Sequence, residues 1–166
     1  MTPIIYDHPL PRDIDAVMNI ENSCFTPDEA ATRESMIERI LLIPDTFLVA
    51  RVMPAGRPIG MIVGPVSENR YITDNIFERT RENSAKDKTQ MIVSLAVLKE
   101  FRQYGIASEL LKKLTEIDRA ARRELISLTC LESLIGYYEG QGFTNEGISA
   151  SQHAGETWYN MIYKIR

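Results

Sequence analysis

Apolar residues recur along this chain at two spacings, and the spacings divide it into strands and helices. Residues 91–97, Met-Ile-Val-Ser-Leu-Ala-Val, form an almost unbroken apolar run with β-branched members, which predicts a buried strand. Beyond it Ile106, Leu110, Leu111, Leu114, Ile117 and Ala121 return close to every 3.6 residues and predict an amphipathic helix. Upstream, a short strand is expected at 4–6 and a helix at 13–23, with Ile14, Val17, Met18 and Ile20 inward. Thr26-Pro27-Asp28-Glu29 then reads as a capping box with proline at the first helical position, opening a helix that stops before Pro44. Strands follow at 46–52 and 59–66, joined by the turn residues 54–58; Gly64-Pro65 late in the second marks a bulge or an edge. Residues 67–88 are polar with charges of alternating sign, so a solvated surface segment is expected there, with one short helical pattern at 73–80. After the central strand and helix come a strand at 125–130, a short helix at 134–140, and a closing hairpin of 144–147 and 157–164.

The resulting order is β-α-α-β-β-β-α-β-α-β-β, a mixed α/β fold. No repeat, low-complexity tract or linker interrupts it, so residues 1–166 are read as one domain.

Composition narrows the function. The chain has 166 residues, 44% hydrophobic and 25% charged, as in ordinary globular proteins. A net charge of −4 gives no electrostatic case for nucleic acid. No apolar run approaches the roughly 20 residues of a membrane span, and the first residues lack signal-peptide character, so a cytoplasmic protein is expected, with no membrane partner. Cys24 and Cys130 have neither a disulfide framework nor metal-ligand spacing, and no metal is expected.

Chemistry enters between the central strand and its helix. Lys99 to Ala107 form a loop with one glycine and basic residues at Lys99 and Arg102, delivered by a strand onto a helix start. Backbone N–H groups there have no intrahelical partner, and the helix dipole favours negative charge, so the loop can cradle an anion. It is neither a dinucleotide fingerprint nor a P-loop. The string Arg102-x-x-Gly105-x-Ala107 after an apolar strand resembles the Arg/Gln-x-x-Gly-x-Gly/Ala motif of the GCN5-related N-acetyltransferase (GNAT) superfamily. The element order and Tyr138-Glu139-Gly140-Gln141-Gly142-Phe143, similar to the family's Tyr-x-x-x-Gly-Phe segment, extend the resemblance over nearly the whole chain. Leu95-Ala96-Val97 with 101–105, and Thr26 to Ala30 upstream, resemble the arylalkylamine (serotonin-type) members in particular.

The resemblance implies a mostly antiparallel central sheet flanked by helices, acetyl-CoA as co-substrate, and a small-molecule amine as acceptor, in a monomer or homodimer. It implies that Leu95, Ala96 and Val97 run beside the pantetheine arm, through the backbone groups of Leu95 and Val97. Arg102, Gln103, Tyr104, Gly105, Ile106, Ala107 and Ser108 would surround the pyrophosphate, and Tyr138 would act at the thioester sulfur as catalytic acid. A protein N-terminus as acceptor, and a coenzyme A-binding module without catalysis, are the alternative readings. The animal arylalkylamine enzymes carry two histidines on the central strand, where this chain has Met91 and Val93. The base is therefore open among water, Glu132 and His153. Tyr137 and Trp158 read as core or cleft-wall aromatics, and both cysteines as small buried hydrophobes.

Overall fold

The computed structural model describes residues 3–77 and 79–165. Among the described residues nine strands and four α-helices follow the expected order, because two of the expected strands each divide in two. They are β1 (Ile4–Asp7), α1 (Ile14–Cys24), α2 (Arg33–Leu42), β2 (Phe47–Val52), β3 (Arg57–Val63), β4 (Val66–Ser67), β5 (Thr89–Ile92) and β6 (Ser94–Val97). The chain continues as α3 (Ile106–Ala120), β7 (Leu125–Cys130), α4 (Ile135–Gly140), β8 (Thr144–Ile148) and β9 (Tyr159–Lys164). One sheet runs β1-β2-β3-β6 and is antiparallel throughout; the other runs β4-β5-β7-β9-β8 with a single parallel pair, β5 with β7.

The two-residue period of β2 places its faces. Phe47 and Val49 pack toward Val17, Ile20, Met36 and Ile40 of α1 and α2, while Leu48 and Ala50 pack toward Ile106, Leu110 and Leu114 of α3. All of these side chains are buried. Each large one contributes about 1.5–3 kcal/mol through removal of apolar area from water. This layering of helices on both faces of the first sheet is the mixed α/β architecture expected, with mostly antiparallel pairing.

The chain passes from one sheet to the other twice, and both crossings lie inside apolar runs. At Gly64-Pro65 it leaves β3 for β4, and at Val93 it leaves β5 for β6. The expected single strands over 59–66 and 91–97 are thus corrected to pairs of strands in different sheets. The crossings touch: a Cβ on Gly64 would lie 1.7 Å from the Met91 carbonyl oxygen, so only glycine fits. Diverging strands would leave carbonyls unpaired. Gln90 answers this by donating its side-chain N–H groups to Gly64 O (2.8 Å) and Met91 O (2.7 Å).

A second correction concerns the start of α2. Only half of the capping box forms: Glu29 Oε1 accepts from both Thr26 N and Thr26 Oγ1, while Glu29 N donates to the Thr26 carbonyl and closes a single turn. The Ala31 N–H is diverted to Glu21 Oε2 (2.8 Å), which ties this stretch back onto α1. The helix begins instead after Thr32, whose hydroxyl accepts from Ser35 N at 3.1 Å.

Segment 67–88 also departs from a merely solvated surface. Its 3₁₀ turn (Asp74–Phe77) stacks Phe77 on His153 with ring centroids 4.4 Å apart, and Asn83 caps Val66 N at 2.8 Å. Residue 78, within the helical pattern expected at 73–80, lies outside the described residues. No helix among the described residues is long and apolar enough to cross a membrane.

Candidate active site

Where β5 and β6 part at Val93, a cleft of about 200 Å³ opens between the sheets. Its walls come from elements far apart in sequence: Glu21 and Cys24 of α1, Ser94 and Leu95 of β6, Cys130 of β7, Tyr138 of α4, and His153 and Trp158 from the β8–β9 connection. A larger concavity of about 460 Å³, lined by Tyr71, Arg79 and Arg81 among others, lies beside β4 and shares none of these groups.

The free edge of β6 borders the cleft, since β6 pairs only with β3. Leu98 donates to Ile59 O (2.8 Å), one step beyond the Gly60–Val97 pair. Alternation along an antiparallel ladder then turns Ala96 and Ser94 toward β3, and Leu95 and Val97 outward. Leu95 therefore presents both backbone groups to the open edge. The Val97 carbonyl does not: it accepts from Arg102 Nε (2.9 Å) and from Cys24 Sγ (3.4 Å), which fills both lone pairs. The Ala96 side chain is buried against α1 and α2.

The anion loop is a 3₁₀ turn (Lys99–Tyr104) ending at Gly105, which takes φ +70° and caps α3. Few side chains tolerate that backbone, and glycine does so freely. No side chain among the described residues caps α3, which leaves the N–H groups of Ile106, Ala107 and Ser108 without an intrahelical or side-chain partner there. Gln103 and Tyr104 are exposed around this cradle, and Tyr104 is 71% exposed. The Ile106 and Ala107 side chains belong to the core, which leaves only their backbone to a ligand. The Ser108 hydroxyl is engaged, accepting from Gln141 Nε2 (3.0 Å) and lying 3.4 Å from Tyr137 Oη, so it joins α3 to α4. Arg102 is turned back onto the end of β6 through the contacts with Val97 and Cys24.

Tyr138 is buried at 8% exposure, edge-on to Tyr137 and Phe143. Burial, with the Cys130 and Tyr137 groups beside it, pushes its phenol well above the usual value, so it keeps its proton. Cys130 is likewise pushed up to about 11 by burial and stays an unreactive thiol.

Among the residues weighed as base, Glu132 is exposed on the turn before α4 and does not line the cleft. His153 does line it, held by Phe77 and by Glu29 O, 3.1 Å from Nε2. Met91 is buried, whereas Val93 faces the cleft. The acid that the sequence reading missed is Glu21. It is 2% exposed, accepts from Ala31 N (2.8 Å) and Ser94 Oγ (3.0 Å), and burial raises its pKa despite those bonds. Its signal was present: Glu21 falls four residues after Val17, on the inward stripe of α1.

The features now in place are an open strand edge and a buried tyrosine on one cleft, and an uncapped helix start after β6. Residues 14–143 match the model of the Acetyltransferase (GNAT) family. The chain belongs to that family. The expectation of acetyl-CoA as co-substrate stands with this membership. No curated protein matches the chain. Among solved structures it is similar to Ard1 from Thermoplasma volcanium, at 20% identity over 98% of each chain and a TM-score of 0.77. It is also similar to the GphF GNAT-like decarboxylase, solved in complex with isobutyryl-CoA, at 15% identity over 98% of this chain and 100% of that one, TM-score 0.80. A third is the ribosomal-protein-S18-alanine N-acetyltransferase from Escherichia coli, at 14% identity over 98% and 94%, TM-score 0.67. At these identities the likeness is one of fold.

Proposed function

We propose that the protein is an acetyl-CoA-dependent N-acetyltransferase that transfers the acetyl group to the primary amine of a small molecule, of the arylalkylamine or polyamine kind. One observation carries this reading: Leu95 at an open strand edge, buried Glu21 and buried Tyr138 converge on a single cleft.

Acetyl-CoA supplies an activated thioester carbonyl. The outward C=O of Leu95 and N–H of Val97 suit the amide-bearing arm of such a molecule, and the N–H groups of 106–108 suit its pyrophosphate. The Leu95 N–H serves as the donor for the oxyanion that forms on attack. Glu21, whose proton affinity is raised by burial, takes a proton from the amine, and Tyr138 gives one to the departing sulfur. The phenol is a weak acid here. The sulfur, however, develops charge in the same poorly solvated space, which raises its proton affinity by the same cause. Holding the two reactants in line supplies much of the remaining rate.

The acceptor end of the cleft is roofed, which favours a small acceptor over a protein N-terminus. The β8–β9 connection is tied across it: Ser151 Oγ donates to Asp74 Oδ1 (2.5 Å), Gln152 N donates to Asp74 Oδ2 (3.2 Å), and His153 reaches the α1–α2 segment at Glu29. Aromatic walls from Phe25, Phe77 and Trp158 suit an alkylammonium or a compact apolar body. The test is thiol release from acetyl-CoA in the presence of tryptamine, phenethylamine, spermidine and short peptides. Amine-dependent release by the wild type is expected. Tyr138→Phe should bind acetyl-CoA normally, by calorimetry, yet turn over about 10²-fold more slowly or worse. Cofactor binding with unchanged turnover in Tyr138→Phe would remove the tyrosine from the mechanism; release with peptides alone would move the acceptor to a protein N-terminus.

A further inference from the structure

Acetyl transfer as described leaves one buried charge without a task. Arg39 lies on the inward face of α2 at 2% exposure, and among the described residues its guanidinium makes no hydrogen bond or ion pair. Its Nη1 is enclosed and unpartnered. Arginine carries five N–H donors in a planar fork and keeps its charge, so burying it unpaired is costly. Glu21 and Glu38 act on it only at a distance.

Arg39 is one of the residues around a cavity of about 350 Å³ beside the N-terminal turn of α2, with Thr32 and Ser35 also on its wall. Five residues, Glu21, Phe77 and His153 among them, wall both this cavity and the acetyl-transfer cleft. The two spaces therefore adjoin at Glu21, with Arg39 on one side of that carboxylate and the proton-bearing Tyr138 on the other. A molecule spanning them meets opposite charges in order.

We propose that the acceptor is an amine that also carries a carboxylate, an amino-acid-like molecule whose carboxylate pairs with the Arg39 guanidinium while its amine lies toward Glu21 and Tyr138. The inference rests on the acetyltransferase reading above and narrows its substrate. The planar fork matches a carboxylate through two parallel hydrogen bonds. A dianion fits less well, because Glu21 and Glu29 contribute negative charge to the same walls. Among the amines of that wider reading, this site favours those that also carry a carboxylate, since the others offer Arg39 nothing.

The test compares matched pairs differing only in the carboxylate: phenylalanine with phenethylamine, tryptophan with tryptamine, leucine with isoamylamine, lysine with cadaverine. Binding of each to the full chain saturated with coenzyme A is measured by calorimetry, and thiol release is followed separately with acetyl-CoA. At least one amino acid should bind about tenfold tighter than its partner, the worth of a charge-assisted pair. The preference should fall to about threefold or less in Arg39→Met, where the donor fork is gone. Arg39→Lys keeps the charge and the stem and should show an intermediate preference, which serves if Arg39→Met does not fold. Absence of a preference in every pair, or one that survives both substitutions, overturns the inference. The two readings fail separately. Thiol release with equal use of both members of each pair sinks the carboxylate site and spares the transferase; an Arg39-dependent preference without thiol release does the reverse.

Discussion

Replacing Glu21 by glutamine separates its proposed chemistry from its structural contacts. The carboxylate accepts from Ala31 N and Ser94 Oγ, and an amide of the same shape can keep both bonds. Its oxygen stays on the Ala31 N–H, while its NH₂ donates to Ser94 Oγ once that hydroxyl rotates. No hydrogen bond need be lost, so stability at neutral pH should stay within about 1 kcal/mol of wild type. The direction follows from the pKa. Burial raises the folded-state value above the ordinary 4.5, so the folded protein holds this proton more tightly than the unfolded chain. Wild-type stability therefore declines as pH rises from the ordinary value through the raised one, and Glu21→Gln removes that decline. Loss of the positioned base should slow turnover by about 10²–10⁴-fold, or about 2.7–5.4 kcal/mol of barrier. Thiol release at saturating acetyl-CoA, followed across pH, reads both effects: lower turnover, and loss of the acid limb that the wild type shows. Turnover within tenfold of wild type would refute Glu21 as the base. A loss of more than about 2 kcal/mol in denaturant unfolding would instead make it a structural carboxylate.

Gly105→Ala probes the anion cradle, because a Cβ there meets no atom within 4 Å and the strain lies only in φ +70°. Stability should fall by about 1–2 kcal/mol, and coenzyme A affinity by about tenfold, as relief of the φ strain re-aims the free N–H groups of α3; unchanged affinity in calorimetry would refute the cradle. Asp118 is wholly buried with Oδ2 unpartnered, and burial pushes its carboxyl up to about 7 in spite of the Arg123 Nη1 bond at 2.9 Å. A raised carboxyl makes stability decline from about pH 4 to about pH 7, by roughly 2–4 kcal/mol at most. Asp118→Asn should flatten that profile and unfold at higher denaturant than wild type at pH 8; a less stable variant at pH 8 would show that the ion pair with Arg123 outweighs burial.

Periodicity reveals which face of a segment is apolar, but not which neighbour covers it. That is why β2 and α3 were legible residue by residue while the sheet crossings were not. The apolar run from Met91 to Val97 continues unbroken through Val93, although Ile92 pairs parallel with Leu128 and Ser94 pairs antiparallel with Val63. Only Gly64-Pro65, on the neighbouring crossing, left a mark in the chain, and the cleft exists because the two crossings coincide. The capping box failed for a related reason. Half of its local chemistry formed, with Glu29 accepting from Thr26 N, but a distant carboxylate captured Ala31 N and the helix starts at Thr32.

Glu21 and Arg39 show what a stricter reading of the same pattern can recover. Glu21 follows Val17 by four residues and Arg39 follows Met36 by three, so each charge sits on the inward stripe of its helix. Burying either ion without a direct opposite charge weakens the fold, and hydrophobic residues of similar volume would pack at least as well. Glu21 at least holds Ala31 N and Ser94 Oγ, whereas at Arg39 stability alone gives no reason for a charge. Both helices pack on the first sheet, and both side chains open onto adjoining spaces beside Leu95 and Tyr138. A zwitterionic acceptor would satisfy both at once, its ammonium at Glu21 and its carboxylate at Arg39. On that argument the unpaired Arg39 charge is the free protein's imprint of its second substrate.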